Sequence, residues 1–378
     1  MEEWIQESEN LSDLYQGLQV LETEEAPLSE EERLQAINGP LLAWYAAHAR
    51  DLPWRRSPDA YRVWISEIML QQTRVEAVKP YYERFLEAFP DTGALAAAPQ
   101  EQLLKLWEGM GYYSRAKNLQ KAAMAVEEQY GGRLPADYEA LLKLPGIGSY
   151  TAGAIASIAY GIAVPAVDGN VLRVISRVLA SREDILKQAV RRKMEAALKK
   201  TMSREQPGAY NQGLMEIGAL ICVPAGQPRC DQCPLASICL ARRQKLWDSI
   251  PYKSPKKPRR MEERTILLVT CEDRIALEKR PETGLLASLY QFPNLEGRMT
   301  QEEAEAWLRQ KGCEDIRLQP AGEARHIFSH VEWHMTGYRA ETSRLPQGYL
   351  EARIPEIREK YPVPNAFLAY TKQLNGES

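Results

Sequence analysis

Two carboxylates and four thiols are the side chains whose surroundings suit them to chemistry. Asp168 stands just ahead of Val171, Val174, Ile175 and Val178, an apolar series at helical spacing. An Asp in that place caps a helix by accepting its first free N–H groups, and the positive end of the helix favours its ionised form. It is a plain cap, an anion able to face a cation, or both. Glu67 lies in Val63-Trp-Ile-Ser-Glu-Ile-Met-Leu-Gln-Gln-Thr73 with apolar neighbours on either side. Burial would raise its pKa toward neutrality and make it a proton donor. On a polar face it would be one more solvated charge, and its spacing of three from both Trp64 and Leu70 does not decide between the two. The thiols run Cys222-x7-Cys230-x2-Cys233-x5-Cys239. Clustered cysteines without a secretory signal point to metal rather than disulfides. Structural zinc usually pairs two short clips and only one is present here, while four thiolates also suit a 4Fe–4S cluster. Spacing therefore supports four-Cys ligation and leaves the metal open. Cys271 and Cys313 stand alone and read as small packing residues.

The elements that must position these groups follow from the pattern around them. Leu144-Pro-Gly-Ile-Gly-Ser-Tyr-Thr-Ala152 reads as a helix end, a tight turn and a new helix from about Ser149. Pro145 cannot continue the first helix, and Gly146 and Gly148 permit positive φ. The bare amides that open the second helix make a ready anion site. Ser29-Glu-Glu-Glu32 is a capping box, followed by Leu34, Ile37, Leu41, Leu42 and Tyr45 at helical spacing. Helical patterns continue at 62–72, 75–89, 100–108, 114–130, 137–144, 149–160, 169–180, 187–203 and 208–220. Near residue 250 the composition shifts. Ile250-Pro-Tyr-Lys-Ser-Pro-Lys-Lys-Pro-Arg-Arg260 has the prolines and basic residues of a linker. Beyond it, 264–271 and 274–280 read as a strand pair, with a helix at 301–311, a strand near 327–340 and a helix near 364–374. The expected divisions are an acidic extension over 1–28, a helical domain over 29–247, a linker over 248–263 and an α/β domain over 264–378.

Composition narrows the class. The 378 residues are 44% hydrophobic, ordinary for a folded chain, and no apolar run approaches the ~18 residues of a membrane span. The first residues lack the basic start and apolar core of a secretory signal, which points to the cytoplasm. The formal charge of −3 is unevenly spread: residues 1–32 hold eleven Asp/Glu and no Lys or Arg, leaving a net +8 on the rest. A basic body behind an acidic leader is compatible with a polyanionic partner.

Taken together, these motifs resemble the adenine DNA glycosylases of the MutY type, over roughly residues 30–375. The resemblance is carried by Arg-Asp-Leu-Pro-Trp-Arg (50–55), Trp-Ile-Ser-Glu-Ile-Met-Leu-Gln-Gln-Thr (64–73) and Gly-Met-Gly-Tyr-Tyr-Ser-Arg (109–115). Leu-Pro-Gly-Ile-Gly-Ser-Tyr-Thr-Ala-Gly (144–153), Asp-Gly-Asn-Val (168–171), the four cysteines and Phe-Ser-His (328–330) extend it. The first cysteine gap is seven residues where the family usually has six, and the acidic leader is longer than usual. The fold implied is an all-α helix–hairpin–helix core (hairpin 137–160) with an iron–sulfur cluster subdomain (loop 222–239), followed by a C-terminal Nudix-like α/β domain. The activity implied is monofunctional removal of adenine mispaired with 8-oxoguanine or guanine, by a bacterial, nucleoid-associated monomer acting on double-stranded DNA.

The same resemblance assigns roles. Glu67 protonates the adenine and helps activate water, Asp168 steadies the oxocarbenium ion, and Tyr150 and Asn170 assist. Arg50, Leu52, Trp54, Arg55 and Gln212 line the adenine pocket. Gly146 and Gly148 of the hairpin approach the DNA backbone, and Gln72 and Tyr113 wedge into the duplex. Cys222, Cys230, Cys233 and Cys239 hold a 4Fe–4S cluster. Bifunctional relatives of the endonuclease III type carry a Lys nucleophile where this chain has Tyr150, and without that amine no Schiff base forms. Gly284-Leu-Leu-Ala-Ser-Leu-Tyr-Gln-Phe-Pro293 resembles the MutT-like domain, but the acidic signature of a Nudix hydrolase does not follow it. A reader is expected there rather than a second enzyme, with Phe328, Ser329 and His330 at the 8-oxoguanine. His326, His330 and His334 recur every fourth residue, a weak hint of metal in β surroundings.

Overall fold

The computed structural model describes residues 28–255 and 258–374. Nearly all of the acidic extension, and Lys256-Lys257 of the linker, lie outside the described residues. Contacts divide the chain into two compact units. One contains the residues up to Tyr82 together with Ala125–Pro255; the other contains Glu83–Met124 and the chain beyond the linker. The helical segment Glu83–Met124 therefore groups with the C-terminal part, although it falls inside the span expected as one helical domain.

Helices α1 (Glu30–Gln35), α2 (Asn38–His48), α3 (Pro53–Arg56), α4 (Ala60–Leu70) and α5 (Val75–Ala88) open the chain. Short α6 (Thr92–Ala97), α7 (Gln100–Leu106) and the long α8 (Ser114–Tyr130) follow, then α9 (Tyr138–Leu142) and α10 (Ser149–Tyr160). The series closes with α11 (Gly169–Val178), α12 (Gln188–Thr201), α13 (Pro207–Leu220) and α14 (Leu240–Arg243). The capping box at Ser29 and Glu32 is present with both of its hydrogen bonds. The single helix expected after it is instead two. Pro40 is costly in a helix interior, and a break at Ala36-Ile37 places it in the first turn of α2, where its missing N–H costs nothing.

The first unit is built around α11. Val171, Leu172, Val174, Ile175 and Val178 are buried against Leu34, Ile37 and Leu41 of α1–α2 and Tyr210, Leu214 and Ile217 of α13. Cys222 and Cys233 pack on the edge of this core. Arg33 adds a bond to the Ile238 carbonyl at 2.6 Å, so the N-terminal helix is tied to the cysteine-bearing loop. α10 lies along α4. It approaches the extended segment 161–168 so closely that a Cβ on Gly153 would sit 2.4 Å from the Pro165 carbonyl oxygen, which only glycine can satisfy.

In the second unit a seven-stranded sheet has the order β3-β2-β1-β6-β5, with β4 on β1 and β7 on β2. The strands are β1 (Arg260–Cys271), β2 (Arg274–Lys279), β3 (Tyr290–Gln291), β4 (Asn294–Glu296), β5 (Arg317–Ile327), β6 (Val331–Glu341) and β7 (Leu350–Arg353). β1 and β6 are parallel in register Arg260↔Val331, and the other pairs are antiparallel. Both faces are covered. Ile266 and Leu268 face a core with Trp333, Phe367 and Tyr370, while Leu267 and Val269 face another with Ala304 and Leu308 of helix α15 (Gln301–Gln310). This explains the unbroken apolar run at 266–269. Helices α16 (Ile354–Glu359) and α17 (Leu368–Leu374) end the described chain.

Two expectations change here. The strand expected near 327–340 is a hairpin: β5 ends at Ile327, Phe328-Ser329-His330 forms the loop, and β6 starts at Val331. β5 escaped notice because Pro320 and Gly322 interrupt its pattern; they sit at a register shift in which Gly322 has φ +83°. Strand β1 also begins inside the span read as linker. Among the described residues no helix is long and apolar enough to cross a membrane.

Candidate active site and metal-ligand loop

Asp168 caps α11. Its Oδ1 accepts from the backbone N–H of Asn170 (2.9 Å) and Val171 (2.8 Å), and its Oδ2 accepts from Asn170 Nδ2 (2.7 Å). Burial pushes its pKa above the ordinary Asp value, against the pull of these donors and of Arg173. Asn170 is held in turn: Arg173 Nη2 donates to its Oδ1 (2.9 Å) and to the Gly218 carbonyl (2.6 Å), while Nε donates to the Cys222 carbonyl (2.7 Å). A Cβ on Gly218 would lie 2.5 Å from Asn170 Cβ, so the contact between α11 and α13 at this point requires glycine.

Glu67 projects from α4 and is buried at 6% exposure. The hydroxyl of Tyr150, on the first turn of α10, donates to its Oε2. Burial raises the Glu67 pKa to about 7; the Tyr150 hydrogen bond and Arg55 restrain the rise and the Asp168 charge adds to it. Burial, Glu67 and Asp168 together push the Tyr150 hydroxyl well above its ordinary value, so it stays a donor. The solvated-face alternative for Glu67 is excluded.

Both carboxylates open into one cavity of about 170 Å³, and Arg50, Leu52, Trp54, Arg55, Tyr150, Asn170 and Gln212 line it with them. Trp54 is fixed edge-on against Tyr82, ring centroids 5.5 Å apart. Of the charged lining residues, one was missed from sequence. Glu216, at 1% exposure, accepts from Arg50 Nε and Nη2 (both 2.7 Å) and from Arg55 Nη1 and Nη2 (3.2 and 3.3 Å). Burial works to raise its pKa, but the hydrogen bonds and charges of the two arginines together outweigh it and bring the group to about 2. The available signal was a lone acid in Leu214-Met-Glu-Ile-Gly-Ala-Leu220, one helical turn past Gln212.

Gly146 takes φ +75° in the hairpin, as expected, but Gly148 does not: its φ is −94°. A Cβ there would meet nothing within 4 Å, so within the chain neither backbone conformation nor space requires glycine at this position. Gly148 caps α10 without any side-chain hydrogen bond. Gln72 is exposed with φ +60° at the end of α4. Tyr113 is not positioned to wedge into anything: it is buried at 7% exposure, and its hydroxyl accepts from the Gly109 N–H. Its neighbour Tyr112 is the open one, 53% exposed with φ +47°.

The larger cavity, about 710 Å³, belongs to the second unit. Tyr112, Lys117 and Lys121 line it together with Gly284–Ala287, Phe328, Ser329 and His330. Phe328 is anchored edge-on to Trp333 at 5.0 Å, leaving Ser329 and His330 exposed in the hairpin loop. The Tyr112 hydroxyl lies 3.4 Å from Ser329 Oγ.

The four cysteines lie along one stretch of chain, 222–239, after α13. Burial raises the pKa of Cys230, of Cys233 (to about 12) and of Cys239, and each also responds to its sulfur neighbours. Backbone N–H groups of Leu235 at Cys233, and of Arg242 and Ala241 at Cys239, pull the other way. Arg177 Nη1 donates to Cys222 Sγ at 3.2 Å. Four soft donors, N–H groups aimed at the sulfurs and a nearby guanidinium fit a thiolate-bound cluster. Among the described residues no three His, Cys, Asp or Glu side chains close on a site for a single ion, the His326/His330/His334 series included.

Comparison with known proteins agrees in both parts. Residues 65–200 match the HhH-GPD superfamily of base excision DNA repair proteins, and residues 264–373 match the NUDIX domain. A human adenine DNA glycosylase is 36% identical over 79% of this chain and 65% of its own, so the chain spans about two thirds of that relative. An adenine DNA glycosylase of Buchnera aphidicola subsp. Acyrthosiphon pisum (strain APS) is 35% identical over 78% of this chain and 83% of its own. Among solved structures, a thermostable thymine-DNA glycosylase is similar over 56% of this chain and 97% of its own, with 28% identity and a TM-score of 0.51.

Proposed function

Because this chain belongs to the adenine DNA glycosylases, enzymes of the HhH-GPD base excision repair superfamily, we propose that it excises adenine mispaired with 8-oxoguanine or guanine. The observation that carries the proposal is a buried carboxyl with a pKa of about 7 sharing one small cavity with a second, helix-capping carboxylate. Adenine is a poor leaving group until its ring is protonated. Glu67 is protonated near neutral pH and gives that proton; the Tyr150 hydroxyl holds one oxygen and leaves the other for the base. As the glycosidic bond breaks, positive charge grows on the sugar, and Asp168 faces it with its own orientation fixed by Asn170 and the α11 amides. Glu67, now ionised, takes the proton of the attacking water. Leu52, Trp54, Arg50, Arg55 and Gln212 form the walls for the base.

The remaining assignments follow the same reading. The bare amides and glycines of the hairpin take the DNA backbone, Gln72 and Tyr112 intrude into the base stack, and the cavity bearing Phe328, Ser329 and His330 reads the 8-oxoguanine opposite. The chain from β1 onward then serves as a reader domain, joined through the basic stretch that precedes Arg260. Cys222, Cys230, Cys233 and Cys239 would hold a 4Fe–4S cluster, which when bound would supply a rigid cross-link for the loop; Arg177 and Arg173 hold the first of these ligands, through the Cys222 sulfur and carbonyl. The enzyme would act as a monomer on cytoplasmic, nucleoid DNA and cut no strand itself, since position 150 offers no amine.

The test is base release from matched duplexes carrying A·8-oxoguanine, A·G or A·T, scored with and without alkali. Alkali-dependent breaks at the two mispairs and none at A·T are expected. Breaks without alkali would point to a lyase, and binding without any base release would end the proposal.

A further inference from the structure

Glu216 touches neither of the atoms assigned to the chemistry, yet it is the most deeply buried charge in the cavity wall and the hub of its polar contacts. The lining residues carry three carboxylates, Glu67, Asp168 and Glu216, and two cations, Arg50 and Arg55. Arg55 is almost fully occupied. Its Nε donates to Gln212 Oε1 (3.0 Å), its Nη1 to the Arg50 carbonyl (3.1 Å) and to Glu216 Oε1 (3.2 Å), and its Nη2 to Glu216 Oε2 (3.3 Å). Its guanidinium also lies over the Tyr45 ring, 5.5 Å from the centroid. Arg50 binds the same carboxylate through two nitrogens. Without Glu216, the carboxylates left in this wall for a desolvated guanidinium are Glu67 and Asp168.

We propose that Glu216 is a positioning residue which sequesters Arg55, keeping that cation from pairing with Glu67 and so preserving Glu67 as a proton donor. The same contact fixes Gln212, whose amide oxygen is held by Arg55, and with it the wall that reads the base. The charge logic has a definite sign. An Arg at hydrogen-bonding distance stabilises the ionised carboxylate, and an ionised Glu67 cannot protonate the leaving group. The inference rests on the reading of Glu67 as the acid.

The experiment is the pH dependence of single-turnover base release by the full chain on a duplex carrying one A·8-oxoguanine pair. Glu216→Gln keeps the shape and removes the charge. Its alkaline limb should move down by about one pH unit, the shift expected when an acid gains a cationic neighbour, with about a tenfold loss of rate above the limb. Arg55→Met should move the limb the opposite way, because the cation itself is gone. The double variant should follow Arg55→Met alone even though base binding stays weakened, because without the cation Glu216 has nothing to hold away from Glu67. A Glu216→Gln shift that disappears once Arg55 is gone is a signature simple loss of packing does not produce, and Arg55→Met provides a readout if Glu216→Gln fails to fold. A limb that stays in place in Glu216→Gln, or failing that variant in Arg55→Met, overturns the proposal. Activity surviving Glu67→Gln would instead remove the reading of Glu67, and these two failures are separate observations.

Discussion

At the scale of single residues, Glu67 couples function to stability with opposite signs. Its folded pKa of about 7 lies above the ordinary carboxyl value of 4.5, so between those values the folded state holds a proton that the unfolded chain has released. That contribution is complete below pH 4.5 and is lost as pH rises to about 7, amounting to roughly 3 kcal/mol from a shift of that size. Glu67→Gln should therefore cut single-turnover base release by about 10²–10⁴-fold, the range for losing a general acid, while raising the denaturant midpoint relative to the parent above pH 7. A variant that loses activity and stability together would contradict this. Tyr150→Lys places an amine beside the same carboxylates. It should yield strand breaks without alkali and a borohydride-trapped protein–DNA adduct. Glu67, Tyr150 and Asp168 were legible because their motif context is dense. Glu216 was not: one acid among apolar residues says nothing until two arginines from far along the chain arrive beside it. The Tyr112-Tyr113 pair shows the same limit, since adjacent identical residues differ only in which way the backbone turns, and Tyr112 has the positive φ.

At the scale of elements, local signals worked where chemistry fixes a boundary. The capping box at Ser29 and the start of α10 at Ser149 follow from side chains and glycines within a few residues. The loop Phe328-Ser329-His330 carries no Gly, Pro or Asn, and it turns only because Phe328 is pinned on Trp333 and the two strands pair around it. α11 is the element whose two ends matter most. Its N-terminus presents Asp168, and Arg173 and Arg177 further along it grip the cysteine loop. The contact with α13 at Gly218 sets that placement. Gly218→Ala would force Asn170 outward, with an expected loss of about 1–3 kcal/mol in urea melts from overpacking. Base release should fall further than that instability explains, because Asn170 orients Asp168. A variant with normal rates at temperatures where it is fully folded would show that the spacing is slack.

At the scale of the whole molecule, charge is partitioned along the chain rather than balanced. Residues beyond the first 32 carry a net +8, and a polyanion bound by such a surface releases counterions. Affinity for a mispaired duplex should fall linearly on a log–log plot against salt; a flat dependence would place the binding energy elsewhere. Composition and the shift near residue 250 made the two-part organisation legible. The grouping of Glu83–Met124 with the C-terminal part was not legible, because it depends on contacts more than 150 residues apart in the chain. Glu101 accepts from Tyr290 and Lys279, Lys105 donates to the Ile357 and Tyr361 carbonyls, and Glu108 receives the Val363 N–H.

That grouping bears on the order in which the protein comes off the ribosome. The segment from 83 to 124 is synthesised early, yet its partners at 279–365 emerge only near the end of translation. Contacts of such separation close late. A nascent chain halted by a premature stop beyond residue 255 would keep both carboxylates and all four thiols while leaving the early segment's docking face bare. Such a product, though it contains every group proposed for the reaction, should be recognised as incomplete and cleared by cellular proteolysis.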